Sequence, residues 1–407
     1  MTAADADWPL VSLSDVTERI MVGIASAATH AYRPSGVPLI RNQNIKPGRL
    51  DDRDLLHVDP RYERAYKNKR LREGDLLTVR TGYPGTTCVV PAAFEGAQSF
   101  TTLISRPQRG KVDSQFLSHY INSELGQSFF TQSQIGGAQK NVNAGVLRGM
   151  PLPLPRTQEQ RAIAAVLDSA DSLIEILERM VAKKRNIKQG MMQELLTGRT
   201  RLPGFAGDWR IRKIGDFAEV RAGGTPSTAI ARYWGGDVLW MSSGEIHKKR
   251  VWDVAGRITQ DGLWESSAQV LPVGTVLMAL AGQGKTRGTV AISRVELATN
   301  QSIAGILPSR EHDSDFLYYN LDTRYGELRG ESAGEGGRGG LNLTIIKKLD
   351  VLMPPPDEQA AIASVLVDVD DELAALERRL ECARSIKTGM TQELLTGRTR
   401  LPVEAAS

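Results

Sequence analysis

Four consecutive residues, Arg41-Asn42-Gln43-Asn44, place a guanidinium and three carboxamides on one short stretch of chain. Arginine suits guanine, and asparagine or glutamine suits adenine, so this string has the chemistry to read nucleobase edges. Arg80 and Tyr83 add a cation and an amphipathic ring. Gln139, Lys140 and Asn141 follow the glycine pair Gly136-Gly137. Glycine lets a backbone approach a ligand closely, and the polar side chains beside it suit phosphate. In the second half the comparable candidates are Ser242, Ser243, Glu245, Gln283, Lys285, Arg338 and Asn342, the last two near the glycine-rich 334–340 stretch. Two basic runs, Arg61–Arg72 and Lys248-Lys249-Arg250, are also compatible with a polyanion. The competing reading for each loop or run is an ordinary solvated surface.

Catalytic strings fail on inspection. Gly282-Gln283-Gly284-Lys285-Thr286 looks like the end of a phosphate-binding loop, but Ala279 stands where that motif needs its first glycine. Asp59-Pro60-Arg61-Tyr62 departs from the Asp-Pro-Pro-Tyr of adenine-N6 methyltransferases at Arg61, and no glycine-rich cofactor motif accompanies it. The histidines His30, His57, His119, His247 and His312 are scattered, with no zinc spacing to Cys88 or Cys382 and no triad. The expectation is a non-catalytic chain with no metal site and no cofactor of its own.

The bulk composition is globular, and 407 residues suffice for two or more domains. A net charge of +4 leans only weakly toward a polyanionic partner. Two cysteines in non-equivalent places form no disulfide framework, and no signal peptide or membrane-spanning run is read, so a cytoplasmic protein is expected.

The elements that must position these candidates come in duplicate. Gln193–Pro203 and Gln392–Pro402 are the same eleven residues, and aligning 155–203 with 354–402 without a gap gives 28 identities in 49 positions. Outside these connectors only anchors persist, among them Asp7-Trp8 and Asp208-Trp209. Connectors that stayed alike meet the same partner twice; domains that drifted meet different ligands. Candidate partner contacts are therefore Glu159, Gln160, Glu194 and Arg199, with their copies Glu358, Gln359, Glu393 and Arg398.

Each connector carries a row at seven-residue spacing, Ile163, Ala170, Leu177, Lys184 and Met191 in the first, apolar but for Lys184, and Ile362, Val369, Leu376, Ala383 and Met390 in the second, all apolar. Second rows include Leu173, Met180 and Ile187, and Leu380, Ile386 and Leu394. This is a coiled-coil period, and Lys184 on the seam is a register-setting insertion. Thr157 is a candidate N-cap with Gln160 three residues on, and Gly198 and Gly397 suit helix ends. Each helix should span Thr157–Thr197 or Asp357–Thr396. The expected class is α+β: mixed α/β domains at 1–154 and 204–353, helical connectors at 155–203 and 354–407, related by a pseudo-twofold repeat. Helix-like stretches are expected at Ser114–Ser128 and Ser314–Leu328, and strands at Val37–Ile45, Asp75–Arg80, Thr86–Val90, Val238–Met241, Thr275–Leu280 and Val290–Ser293.

In its order of domain, helix, domain, helix, in Glu159-Gln160 and Glu358-Gln359 opening the helices after proline, and in the repeated Gln-Glu-Leu-Leu-Thr-Gly-Arg ends, nearly the whole chain resembles the specificity subunit of Type I restriction–modification enzymes. The resemblance implies two target recognition domains, each reading half of a split double-stranded DNA sequence, spaced by two antiparallel coiled-coil helices. It implies two docked methyltransferase subunits, joined by restriction subunits, that use S-adenosylmethionine, ATP and magnesium. The rival readings are a coiled-coil scaffold with two protein-binding domains and a self-contained modification enzyme.

Overall fold

The computed structural model describes residues 8–26, 28–133, 141–282, 286–331 and 340–402. The chain divides into two compact units built from distant segments, Met1–Glu178 with Arg378–Ser407, and Arg179–Glu377. The division falls inside both connectors, not at their ends. Each unit thus owns one variable domain and half of each long helix.

In unit 1 an antiparallel sheet orders Thr17–Val22, Leu103–Pro107, Leu76–Thr78 and Thr87–Val89. A second sheet orders Gln98–Phe100, Val37–Arg41, Leu56–Val58 and Tyr32–Arg33, its first pair parallel. Leu10–Ser12 pairs with Pro151–Pro153, joining the ends of the domain. Unit 2 repeats the plan with a five-stranded sheet centred on Val276–Ala279 and a four-stranded sheet containing Trp234–Met241. Arg210–Lys213 pairs with Asp350–Met353 as the matching closure. The expected strands are present, most of them shorter; Val37–Ile45 is cut by a turn at Asn42–Asn44.

Helix α1 (Ser114–Asn122) starts on Asp113, whose carboxylate accepts from the Gln115 and Phe116 N–H groups. It ends at Ser123, which is extended, so the single helix expected over 114–128 is two. The long helix α2 spans Thr157–Leu195. In unit 2 α3 (Ser314–Thr323) is capped by Asp313 and likewise stops before a second helix. The second long helix α4 spans Pro356–Leu395. Gly198 and Gly397 follow the long helices at φ +70° and +72°, the left-handed conformation expected of them.

The start of α2 and the end of α4 pack with α1 in one buried cluster: Ile163, Leu167, Leu394, Leu395, Phe116 and Ile121. In unit 2 Ile362, Leu366, Leu195, Leu196, Phe316 and Leu321 do the same. Each such side chain contributes ~1.5–3 kcal/mol on burial. Ion pairs fix the direction. Unit 1 joins Glu159 to Arg400, Asp171 to Lys387 and Glu178 to Arg384. Unit 2 joins Lys184 to Glu372, Lys188 to Asp370 and Arg201 to Glu358. Numbers rise on one helix as they fall on the other, so within each unit the helices run antiparallel.

The apolar seam is narrower than the seven-residue reading. Leu177 and Val181 are buried, but Leu173, Met180, Ile187 and Ile386 are 47%, 45%, 42% and 55% exposed. Two helices bury one stripe of each other, and side chains flanking that stripe stay in water. Lys184 is half-buried and its charge meets Glu372.

Candidate nucleic-acid interface

In unit 1 the strand Val37–Arg41 runs into a tight turn at Asn42–Asn44. Asn44 holds that turn: its side chain accepts from the Arg41 N–H at 3.0 Å and donates to the carbonyls of Asp51 and Asp54. The other three residues line an open cavity of about 890 Å³, with Tyr32, Tyr83 and Phe100 as ring walls. Arg41 Nη2 donates to the Asp54 carbonyl at 2.7 Å and to its carboxylate at 3.0 Å, and Gln43 Nε2 donates to that carboxylate at 3.0 Å. Asn42 Nδ2 donates to the Thr81 hydroxyl at 3.2 Å. Left over are Arg41 Nε, Asn42 Oδ1 and Arg80 Nε, buried atoms without a hydrogen-bond partner. Buried polar groups normally find one, so the orphans on Arg41 and Asn42, which line the cavity, suit a ligand; Arg80 is not among its lining residues.

Two glycines at positive φ, Gly82 at +90° and Gly85 at +93°, bend the turn that carries Tyr83, which is 85% exposed. A Cβ at Gly85 would lie 2.4 Å from the Phe130 ring, so only glycine fits. Thr101, also lining the cavity, sits at φ +55°, strained for a β-branched residue. Asn141 is exposed and forms a bridge to Thr81, which brings it to the same rim. The structure therefore gathers Arg41, Asn42, Gln43, Tyr83 and Asn141; Gln139 and Lys140 lie outside the described residues. Tyr32, Phe100, Thr81 and Thr101 were not singled out from sequence, because nothing in their spacing marks them and only the fold brings them to one wall.

Unit 2 carries the equivalent turn at Ser243–Lys248 after strand Trp234–Met241. Ser242 and Ser243 are half-buried there. Glu245 is engaged within its own loop. It accepts from the Ala255 N–H at 3.0 Å and from Lys248 at 2.7 Å, so it fixes its own loop. Burial opposes its ionisation, but those two hydrogen bonds prevail and hold it below the usual carboxylate range. The Asn342 side chain caps the helix Leu343–Lys348 by accepting from the Ile345 N–H. Gln283, Lys285 and Arg338 lie outside the described residues.

The basic runs differ in kind. Arg61, Arg64, Lys67 and Arg72 are exposed, whereas Arg70 pairs with Glu63. Lys248, Lys249 and Arg250 are tied to Glu245, Asp322 and the pair Asp370/Asp371, so this run is no free cationic patch. Asp59 caps the short helix Pro60–Glu63, a structural use of a string that resembled a methyltransferase motif.

Four expected partner contacts turn inward. Glu159 and Glu358, 4% and 0% exposed, pair with Arg400 and Arg201. Trp8 and Trp209 stack on those arginines at 5.3 and 5.6 Å. Gln160 Oε1 accepts from the Asp113 N–H at 2.7 Å, and Gln359 Oε1 from the Asp313 N–H at 2.9 Å, locking each helix start to the cap of α1 or α3. Gln160 thus does not close a capping box with Thr157, whose hydroxyl donates to the Gly110 carbonyl. Glu194 and Glu393 accept from the hydroxyls of Thr200 and Thr399. Arg199 and Arg398 stay exposed. The start of each connector is clamped by the end of the other, and this accounts for much of the repeated sequence.

A family model for the Type I restriction modification DNA specificity domain matches residues 6–184 and again 206–382. The chain belongs to that family. It is 24% identical to the putative type I restriction enzyme MjaX specificity subunit of Methanocaldococcus jannaschii, across 97% of this chain and 94% of that one. With the MjaIX specificity subunit of the same organism it shares 32% identity, over 44% of this chain and 42% of that subunit. Among solved structures, the S subunit of a Type I restriction–modification system from M. genitalium superposes with TM-score 0.64 at 13% identity, covering 97% of this chain and 98% of that one. A chain from a structural study of type I R-M complex assembly and conformational transition gives 0.56 at 18%, covering 96% and 98%. These two likenesses concern the fold. Like its family, the specificity subunit described here is α+β. Among its described residues no helix is long and apolar enough to cross a membrane, and no group of three or more His, Cys, Asp or Glu is placed to hold a metal ion.

Proposed function

We propose that each domain of this specificity subunit reads one half of a bipartite double-stranded DNA target. Two methyltransferase subunits dock on the helices, restriction subunits join them, and those partners supply the chemistry with S-adenosylmethionine, ATP and magnesium. The observation that carries this reading is the contrast inside the duplicated family match. The clamps that build the scaffold are the same in both units, while the turn facing outward is Arg41-Asn42-Gln43 in one and Ser242-Ser243-Gly244 in the other. A device that reads two unlike half-sites needs that combination. Phosphate contacts position such a domain, and a few base contacts specify it.

The test is to map methylated adenines in cells carrying the chain with its methyltransferase subunits, with and without exchange of residues 1–154 for another such domain. One half-site should change and the other persist. Binding of the purified complex should weaken steeply with salt. A complex that binds all sequences equally, or an exchange that alters both half-sites, overturns the reading.

A further inference from the structure

The cavity of about 890 Å³ in unit 1 is a recess, and Arg41, Asn42 and Gln43 line it instead of crowning a ridge. An intact duplex keeps its base edges on the floor of a groove, where a protruding helix or β-ribbon reaches them. A recess cannot follow them there. It can receive a group that leaves the duplex, and its volume is of the size that encloses a small ligand.

The walls suit one such group. Tyr32 and Phe100 line the cavity and pack in one apolar cluster with Leu56. Arg41 commits Nη2 to Asp54, and Asn42 commits Nδ2 to Thr81. Arg41 Nε and Asn42 Oδ1 remain, a donor and an acceptor, both buried and without a partner. The Watson–Crick edge of every base sets an acceptor beside a donor, and only a base removed from its pair presents that edge. At the rim Tyr83 stands 85% exposed on the turn bent at Gly82 and Gly85. A ring so placed can enter a base stack as a wedge.

The matching places in unit 2 differ. Arg41 and Phe100 follow the paired residues Ile40 and Ser99, whereas Ser242 and Asn300 follow the paired residues Met241 and Thr299. Asn300 offers no ring, and its side chain accepts from the Ser302 N–H at 3.2 Å. At this place the guanidinium and the ring wall belong to unit 1.

We propose that the unit 1 cavity takes one nucleobase turned out of the duplex. The base stacks on Tyr32 and Phe100, Arg41 and Asn42 meet its freed edge, and Tyr83 fills the gap it leaves. This rests on the functional reading above, which supplies the DNA; the cavity adds that the duplex is opened at one position of one half-site.

The complex of the full chain with its methyltransferase subunits is bound to duplexes of the mapped target, each carrying one mismatch. Methyltransferases turn out the base they modify, so the methylated adenines are left out of the scan. A mismatch removes part of the cost of extrusion. At one position in the half-site of unit 1 it therefore tightens binding about tenfold. Phe100→Leu keeps the apolar bulk of its cluster and removes the flat ring. It weakens binding about tenfold when the base is present, as loss of one stacked base would. With an abasic nucleotide at that position its effect stays within about threefold. A misfolded variant would lose both duplexes, so the abasic one separates lost stacking from lost folding. Tyr83→Ala weakens binding of both, because the gap in the stack is present in each.

A complex that prefers its target but shows no tightening in the half-site of unit 1 overturns the extruded base and leaves the functional reading intact. Equal losses on the two duplexes from Phe100→Leu overturn its place in this cavity. A complex with no preference for its target overturns the functional reading, and the extruded base with it.

Discussion

At the scale of single residues, the side chains that matter divide into those with internal partners and those without. Asn42 is fixed through its amide nitrogen on Thr81 and keeps a buried oxygen without a partner. Its replacement by alanine should relax specificity at one base pair of one half-site by ~1–3 kcal/mol, which competition binding against single-base variants of the target would measure. His312 is buried, packs on the Phe217 ring, and burial lowers its pKa to about 4. Below the ordinary histidine value of 6.5, the unfolded chain therefore takes up a proton that the folded chain refuses. Its contribution to stability is whole above about pH 6.5 and is lost as pH falls toward 4, by at most roughly 1.4 kcal/mol per pH unit. Denaturant titrations across that window should show the loss, and His312→Phe should reduce it.

At the scale of elements, the helices are held by reciprocal clamps as much as by an apolar seam. Glu159 is buried and answered by Arg400, and Glu358 by Arg201. Removing the cation leaves a carboxylate stranded away from water, which costs far more than losing a surface pair. Arg400→Met should lower the stability of unit 1, and Arg201→Met that of unit 2, read by hydrogen exchange of the amides of α1 and α3 respectively. If the exchange of both is unchanged, the clamps are ornamental. The seven-residue period overstated the seam because periodicity reports every apolar residue on a broad face, whereas burial depends on how much of that face another element covers. Leu173, Met180, Ile187 and Ile386 meet the period and remain exposed.

At the scale of the whole molecule, α2 runs without a break from Thr157 to Leu195, through the division between the units at Glu178. If helix length sets the gap between half-sites, an insertion must preserve both the seam and the reciprocal pairs. Seven residues added after Glu178 and again after Glu377 do so, and lengthen each helix by about 10 Å. The preferred gap should grow by about three base pairs. Methylation mapping that returns the original gap rules out the helix as ruler.

The duplication, the α+β class, the long helices with their glycine ends and the family were legible in the residues alone, because identity and periodicity are local or self-referential properties. That Arg41, Asn42 and Gln43 share one wall was legible for the same reason: they are consecutive residues, and all three line the cavity. Which charged residues face inward was not. Glu159, Gln160, Glu358 and Gln359 have the composition of a surface epitope, and only packing against segments some 46 to 241 residues distant turns them into clamps. Glu245 and Asn342 likewise carry the right groups for base contact, yet a neighbouring N–H claims each one. A side chain's chemistry is set by its type; its job is set by which partner reaches it first, and that is decided by the tertiary fold.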